Sequence, residues 1–472
     1  MNRYIFTILL ISIVTGGFAQ QTLSLEQCRE MALEQNENIE IARLQLEKAK
    51  TDRAAMKTQY FPSLSGSATG AYLFNDIEME MHIPTAKPNP LSGELEPNYM
   101  LNPSTGEPVM GPDGNPVFNV YGWLPLEISL KGAYMAGVSL EQPIYTGGKI
   151  SAGNRMAKIG IEMTRENLKL EREKTIHNTD QSYWLYVTVQ EKVKLAEKYK
   201  KLLEELLETT QDAYETGMST QNDVLKVKVK LNKAKLEHQK TQSGLKLTRM
   251  ALCRAVGLPF ETEIISTNSL KNVIQPVTPG KVQGISFRPE YSLLEKQIEL
   301  ANEQIKLARA DFLPTAGLQV GYNYIGGIEY ADQSFEDGNT SIMASLKIPL
   351  FHWGEGFKKI KSAQHEVDIK KAQLEKNSRL LELEITQARL NLNDAITRVE
   401  MAEESLEQAY ENLRVTSDNY ELGMKILPEL LEAQAQWQET YSELIDARAD
   451  CKIKESAYLK ATGQLAVQNE SE

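Results

Sequence analysis

The sequence predicts an α+β membrane protein, internally duplicated, in which four membrane β-strands per chain are joined to very long α-helices. Three observations predict it: a repeat that covers most of the chain, four segments whose apolar residues alternate with period two, and two long proline-free stretches with heptad spacing.

The chain opens with MNRYIFTILLISIVTGGFAQ, one cation at Arg3, an apolar run from Tyr4 to Val14, and small residues at Gly17 and Ala19. This pattern predicts a secretory signal peptide over 1–19. No later stretch reaches the roughly 20 apolar residues of a membrane-spanning helix, so membrane contact is expected from strands.

The repeat is carried by two offsets. PIYTGGK at 143 returns as PLFHWGE at 349, and the same offset of 206 pairs Tyr214 with Tyr420, Gly217 with Gly423, Met218 with Met424 and Gly257 with Gly463. A second block, 36–62, matches 288–314 at an offset of 252, pairing Pro62 with Pro314. The offsets differ by 252 − 206 = 46, so the first copy carries an insertion between its two strands.

Each copy therefore reads helix, extended hairpin, long helix, turn, helix. Ser24 with Gln27 forms a capping box at the first helical stretch. The longest helices are expected over about 152–215 and 356–421, each close to ~100 Å at ~1.5 Å per residue. In the second, Ile385, Leu392, Val399, Leu406, Leu413 and Tyr420 recur every seven residues, interleaved with Ala388, Ala395, Ala402 and Ala409. That is a coiled-coil seam with small residues at alternate layers.

The strands show the membrane. Leu64, Gly66, Ala68, Gly70, Tyr72 and Phe74 share one face of the first, and Tyr134, Ala136, Val138 and Leu140 one face of the second. Ala316, Leu318, Val320, Tyr322 and Tyr324 line the third; Ile342, Ala344, Leu346 and Ile348 line the fourth. Their charges, Lys131, Glu141 and Lys347, fall on the other face. Each strand is expected to be about ten residues, with aromatics such as Tyr72, Tyr324, Tyr145 and Trp353 marking two girdles. Four strands cannot close a barrel, so subunits must share one; the arithmetic permits a dimer, trimer or tetramer. The enlarged loop, 75–127, holds nine of the 18 prolines and is expected to be neither strand nor helix, and to lie outside the cell.

Other chemistries are excluded by what is missing. A net charge of −12 without a basic patch argues against nucleic acid. The Gly147-Gly148-Lys149 run lacks the Ser or Thr of a phosphate loop, since Ile150 holds that position. The five histidines show no metal-ligand spacing, and Cys28, Cys253 and Cys451 read as buried small hydrophobes. No catalytic constellation, cofactor site or metal site is found, so an enzyme is not expected.

These residues resemble the TolC family of outer-membrane efflux proteins. The resemblance rests on the signal peptide, Phe61-Pro62 and Phe312-Leu313-Pro314 before the strands, the doubled P-[IL]-[YF]-x-x-G after them, and the doubled turns YETGM and YELGM. It implies a homotrimer whose chains build one twelve-stranded barrel in the outer membrane, continued by a helical tunnel in the periplasm. It further implies a passive exit duct served by a periplasmic adaptor and an inner-membrane pump. A duct for secreted proteins or metal ions fits the same fold; a non-conducting periplasmic scaffold or adhesin is the alternative of another class.

By the same resemblance the periplasmic gate falls on Asp223, Tyr420, Lys425, Glu429 and Glu432, with Lys425 where the family has arginine. Tyr214, Gly217, Met218, Gly423 and Met424 would form the tip turns that meet the adaptor. The strand–helix hinges are Pro62, Pro143, Gly147, Gly148, Pro314, Pro349 and Gly354. The expected segments are N-terminal helices over 20–62, hairpins over 63–143 and 315–349, and helical hairpins over 144–257 and 350–463. An equatorial linker over 258–287, a helix over 288–314 and a tail over 464–472 complete the chain.

Overall fold

The computed structural model describes residues 21–83, 86–119, 124–270, 284–330 and 333–465. The predicted signal peptide, part of the equatorial linker and most of the tail lie outside them. In chain order the elements are β1 (Gln21–Leu23), α1 (Leu25–Gln35), α2 (Glu37–Thr58), β2 (Ser63–Ile83), β3 (Ala86–Pro88), β4 (Leu95–Pro97), β5 (Leu124–Thr146), α3 (Lys149–Glu215) and α4 (Gln221–Val256). The second half contains β6 (Ile264–Ser266), α5 (Pro289–Ala310), β7 (Thr315–Tyr330), β8 (Gln333–Lys347), α6 (Glu355–Glu421) and α7 (Leu427–Ala461). Two compact units share these elements, one built on the sheet and one on the helices.

The sheet unit comprises Ala54–Asn154 and Ile305–Lys361. Its four long strands lie in the order β2-β5-β7-β8, antiparallel throughout. The two hairpins repeat each other rung for rung. Ser63 faces Glu141 and Tyr72 faces Gly132 in the first; at the repeat offsets, Thr315 faces Lys347 and Tyr324 faces Gly338 in the second. β2 and β8 are the edges, and the alternating apolar face is open: Leu64, Tyr72, Ile342 and Leu346 are each about two-thirds or more exposed.

The strands are longer than the expected ten residues, at 21, 23, 16 and 15. The expectation that 75–127 holds no strand is overturned, because β2 runs to Ile83 and β5 starts at Leu124. The reason is legible in the chain: Ile77, Met79, Met81 and Ile83 continue the alternation, and the first proline is Pro84. A register shift between Tyr72 and Ile77 marks a bulge where the two stretches join. Beyond it the insertion folds on itself. NPLSGE and NPSTGE form matching turns in which the side chains of Asn89 and Asn102 accept from the backbone N–H groups of Leu91 and Ser104, at 2.9 and 3.0 Å.

In the helical unit Ser24 caps α1, and its capping box with Gln27 is complete in both directions. An unexpected element is β1, which pairs in parallel with β6, Gln21 facing Ile264. These three-residue strands are too short for periodicity to reveal. They rest on a core of Cys28, Tyr183, Trp184, Tyr186, Leu252, Cys253 and Val256. The Tyr183 hydroxyl donates to the Leu23 carbonyl at 3.2 Å, and Tyr186 donates to the Ile264 carbonyl, so both aromatics hold the short sheet. All three cysteines are free and buried.

A second cluster joins Leu203, Val227, Leu231, Leu427, Leu430 and Leu431 from α3, α4 and α7. The heptad seam of α6 supplies a third, in which Leu392 and Ala395 meet Cys451 and Tyr458 of α7. Between α1, α3 and α7 lies a buried polar network. Arg29 Nε and Nη2 donate to the two carboxylate oxygens of Asp180 at 2.7 and 2.8 Å, Ser456 donates to the same carboxylate, and His177 Nδ1 lies 3.1 Å from the Ser456 hydroxyl. Asp180 is fully buried, so the bidentate guanidinium compensates a charge that would otherwise stand alone.

Candidate functional site

Two kinds of site residue recur in both copies: the turns that reverse the helices and the hinges that start them. At the first turn Gly217 has φ +82°, its N–H reaches the Tyr214 carbonyl at 3.0 Å, and the Met218 N–H reaches Ala213 at 2.7 Å. At the second, Gly423 has φ +73°, with matching bonds to Tyr420 at 2.9 Å and from Met424 to Asn419 at 2.8 Å. Both turns end a 67-residue helix with a left-handed glycine, which satisfies the last free carbonyls. Met218 is 81% exposed and Met424 64%, and Tyr214, Leu422 and Ile426 are exposed beside them, so both turns present apolar side chains to solvent.

The charges flanking the turns differ between the copies. Thr220 caps α4 by accepting from the Asp223 N–H, while its hydroxyl donates to the Asp223 carboxylate at 2.7 Å and Lys226 Nζ donates from 3.0 Å. The Thr220 hydroxyl, and then Lys226, hold the Asp223 carboxyl below the usual range. In the second copy Ile426 occupies the cap position without a side-chain bond, and Lys425 pairs forward with Glu429 at 3.1 Å. Glu429 is the repeat partner of Asp223, and Glu432 the partner of Lys226, each 206 residues on.

Among the described residues no ion pair joins Asp223 to Lys425, and Tyr420 packs against the leucine cluster of α3, α4 and α7. Glu432 is exposed, with no cation partner among the described residues. Sequence reasoning missed Thr220 and Lys226; the offset of 206 that pairs Lys226 with Glu432 was the signal for them.

At the first hinge β5 continues past Pro143 to Thr146; Pro143 faces Gly317, and a register shift leaves Ile144 out of the pairing before Tyr145 faces Ala316. The expectation that the strand ends at Pro143 is corrected accordingly. Gly147 (φ +65°) and Gly148 (φ +89°) then turn the chain into α3. A Cβ on Gly147 would stand 2.6 Å from the Ala310 carbonyl oxygen, so only glycine fits there. Lys149 pairs with Asp311 at 3.4 Å.

The second hinge repeats this backbone with a different residue. Trp353 stands where the first copy has Gly147 and takes φ +49°, the one left-handed non-glycine among the described residues. Gly354 follows at φ +79°. The Trp353 ring is 87% exposed and lies edge to face with Phe351 at 5.0 Å. Pro62 and Pro314 directly precede β2 and β7, and Pro349 follows β8.

The sheet with open edges and an apolar face, together with helices that reverse at matched turns, defines the class of an outer-membrane channel protein. The family model for outer membrane efflux proteins matches residues 125–258 and 288–464, and the chain belongs to that family. Its relatives include the alkaline protease secretion protein AprF of Pseudomonas aeruginosa, 21% identical over 325 residues, covering 67% of each chain. The outer membrane protein TolC of Vibrio cholerae is 22% identical over 301 residues, 61% of this chain and 67% of that one. In fold, the CmeC outer membrane channel of Campylobacter jejuni matches with a TM-score of 0.71 at 17% identity, over 93% of this chain and 86% of that one. The protein is accordingly placed in the outer membrane.

Proposed function

We propose that the protein is the exit duct of a tripartite export system, a homotrimer that passively conducts substrates delivered by a periplasmic adaptor and an inner-membrane pump. The observation that carries this is the four-stranded sheet with both edges unpaired among the described residues and an exposed apolar face, since open edges are not tolerated in lipid. Three such sheets make a barrel of ordinary size. A second observation supports assembly: Leu225, Val229, Leu236 and Leu247 form an exposed apolar stripe along α4.

The exposed methionines at 218 and 424 suit an adaptor surface, being soft apolar contacts on rigid turns. Asp223, Tyr420, Lys425, Glu429 and Glu432 serve as the gate, with Glu429 and Glu432 forming acidic rings that favour cations. The likeness to a protease secretion protein favours a protein-secretion duct as the second reading, with cargo set by the pump.

Planar-bilayer recording tests the function. Cation-selective conductance steps are expected, and Asp223→Ala combined with Lys425→Ala raises the single-channel conductance. Absence of any conductance from membrane-extracted protein overturns the duct; unchanged conductance in the double variant overturns the gate alone.

A further inference from the structure

The repeat specifies how one chain meets the next. The hairpins β2–β5 and β7–β8 have the same register from Ser63↔Glu141 to Tyr72↔Gly132 and from Thr315↔Lys347 to Tyr324↔Gly338, related throughout by the offsets 252 and 206. The seam between the two copies within the chain, β5 against β7, is also fixed: Ala136 faces Tyr324, Ser139 faces Gly321, Leu140 faces Val320 and Glu141 faces Gln319. With an even number of strands per chain, β8 of one chain runs antiparallel to β2 of its neighbour. That junction is again a second strand of one copy against a first strand of another.

We infer that the intersubunit seam repeats the internal one, so that adding 206 to each β5 position and subtracting 252 from each β7 position gives its register. Ile342 then faces Tyr72 of the neighbouring chain, Ser345 faces Thr69, Leu346 faces Ala68 and Lys347 faces Ser67. The inference rests on the homotrimer reading and adds the contact between its chains.

The alternation of the two edge strands and their exposure agree with it. The parity is right, because Ser345, Thr69, Lys347 and Ser67 share the polar face while Ile342, Tyr72, Leu346 and Ala68 share the apolar one; a slip of one residue would put Lys347 opposite an apolar-face position. The exposure is right too. Both edges are exposed along the paired stretch, residues 63–72 and 336–347, with Ile342 at 74% and Tyr72 at 75%, so each is open to a partner strand.

Paired cysteines read the register directly. Residues facing across an antiparallel ladder lie ~4.5–5.5 Å apart at Cα, within disulfide reach, whereas diagonal neighbours lie ~7–8 Å apart, beyond it. The native Cys28, Cys253 and Cys451 are buried and give no background. Thr69→Cys with Ser345→Cys, oxidised in detergent as the full-length protein, is expected to give covalent dimers and trimers on a non-reducing gel. Thr69→Cys paired with Met343→Cys or with Lys347→Cys is expected to give at most traces. A shifted pair that links better than the matched one overturns the register, as does the matched pair failing to link in particles whose mass is that of three chains. Particles with the mass of one chain overturn the homotrimer reading, and this inference with it.

Discussion

The helices α3 and α6 are equivalent in the repeat, each 67 residues long and each ended by the same glycine turn, yet their surroundings are opposite. The middle of α3 is inside the chain: Ile176, Thr179, Asp180, Tyr183 and Val187 are all buried. α6 buries one seam, through Val367, Ile385, Leu392 and Ala395, and leaves Leu383, Leu390 and Met401 exposed along another face. Those three are spaced by 7 and 11 residues, which places them on one stripe. Duplication preserved the backbone, and the side chains then divided the work. One long helix anchors the fold of the single chain, and the other leaves an apolar face exposed.

The sharpest way to break that comparison is to remove equivalent polar residues. Asp180→Ala leaves Arg29 without its buried counter-charge and is expected to cost ~3–5 kcal/mol, seen as a large fall in the melting temperature. Thr386→Ala, at the position 206 residues on, removes only an exposed hydroxyl bonded to the Glu382 carbonyl and is expected to change stability by less than ~0.5 kcal/mol. Equal losses at both sites would show that α6 belongs to the core of the single chain as fully as α3 does.

Next in size is a pH effect confined to α3. Burial, and then the neighbouring Glu290 carboxylate, push the Glu173 carboxyl up to about 7, against the opposing pull of Arg288 and Lys460. In the unfolded chain the group titrates near its ordinary 4.5, so the folded state holds the proton more tightly. The stability linked to that proton is complete below pH 4.5 and is lost as pH rises through 7, by roughly 3 kcal/mol. Glu173→Gln is therefore expected to raise the melting temperature at pH 8 and to leave it unchanged at pH 4.5. Its α6 equivalent, Arg379, is exposed and paired with Glu375, so Arg379→Gln is expected to show no such pH dependence.

The hinges give smaller effects. Gly147→Ala meets the Ala310 carbonyl and a left-handed φ together, and should cost more than the ~1–2 kcal/mol that the backbone conformation alone demands. Gly354→Ala has open space around the new methyl and should cost only that backbone term. Smallest in the single chain is Leu383→Ala with Leu390→Ala on α6, expected to move the fold by less than ~0.5 kcal/mol while weakening assembly, as read by the particle mass on dilution.

Much of this was legible in the chain because glycines and alternation carry it. The turns at Gly217 and Gly423 stand at one offset because both require a left-handed residue, and strand parity followed from the alternation between Leu64 and Phe74. What stayed hidden depends on distant partners. Arg29, Asp180 and Ser456 come together from three helices, with 151 residues between the first pair and 276 between the second, and no local spacing announces them. Trp353 was legible as an aromatic at the strand end but not as a left-handed residue, since its type argues against that conformation. At the gate the family resemblance named Asp223 and Lys425, while the single chain gives each a nearer partner, Lys226 and Glu429.

The central claim is that the sheet edges and the open face of α6 are surfaces for copies of the same chain. Light scattering of the detergent-extracted protein, corrected for bound detergent, tests it most directly. With 53.1 kDa for the full chain before any leader is removed, the account predicts a protein mass close to three chains. A stable particle holding one chain, with β2 and β8 still unpaired, would contradict it.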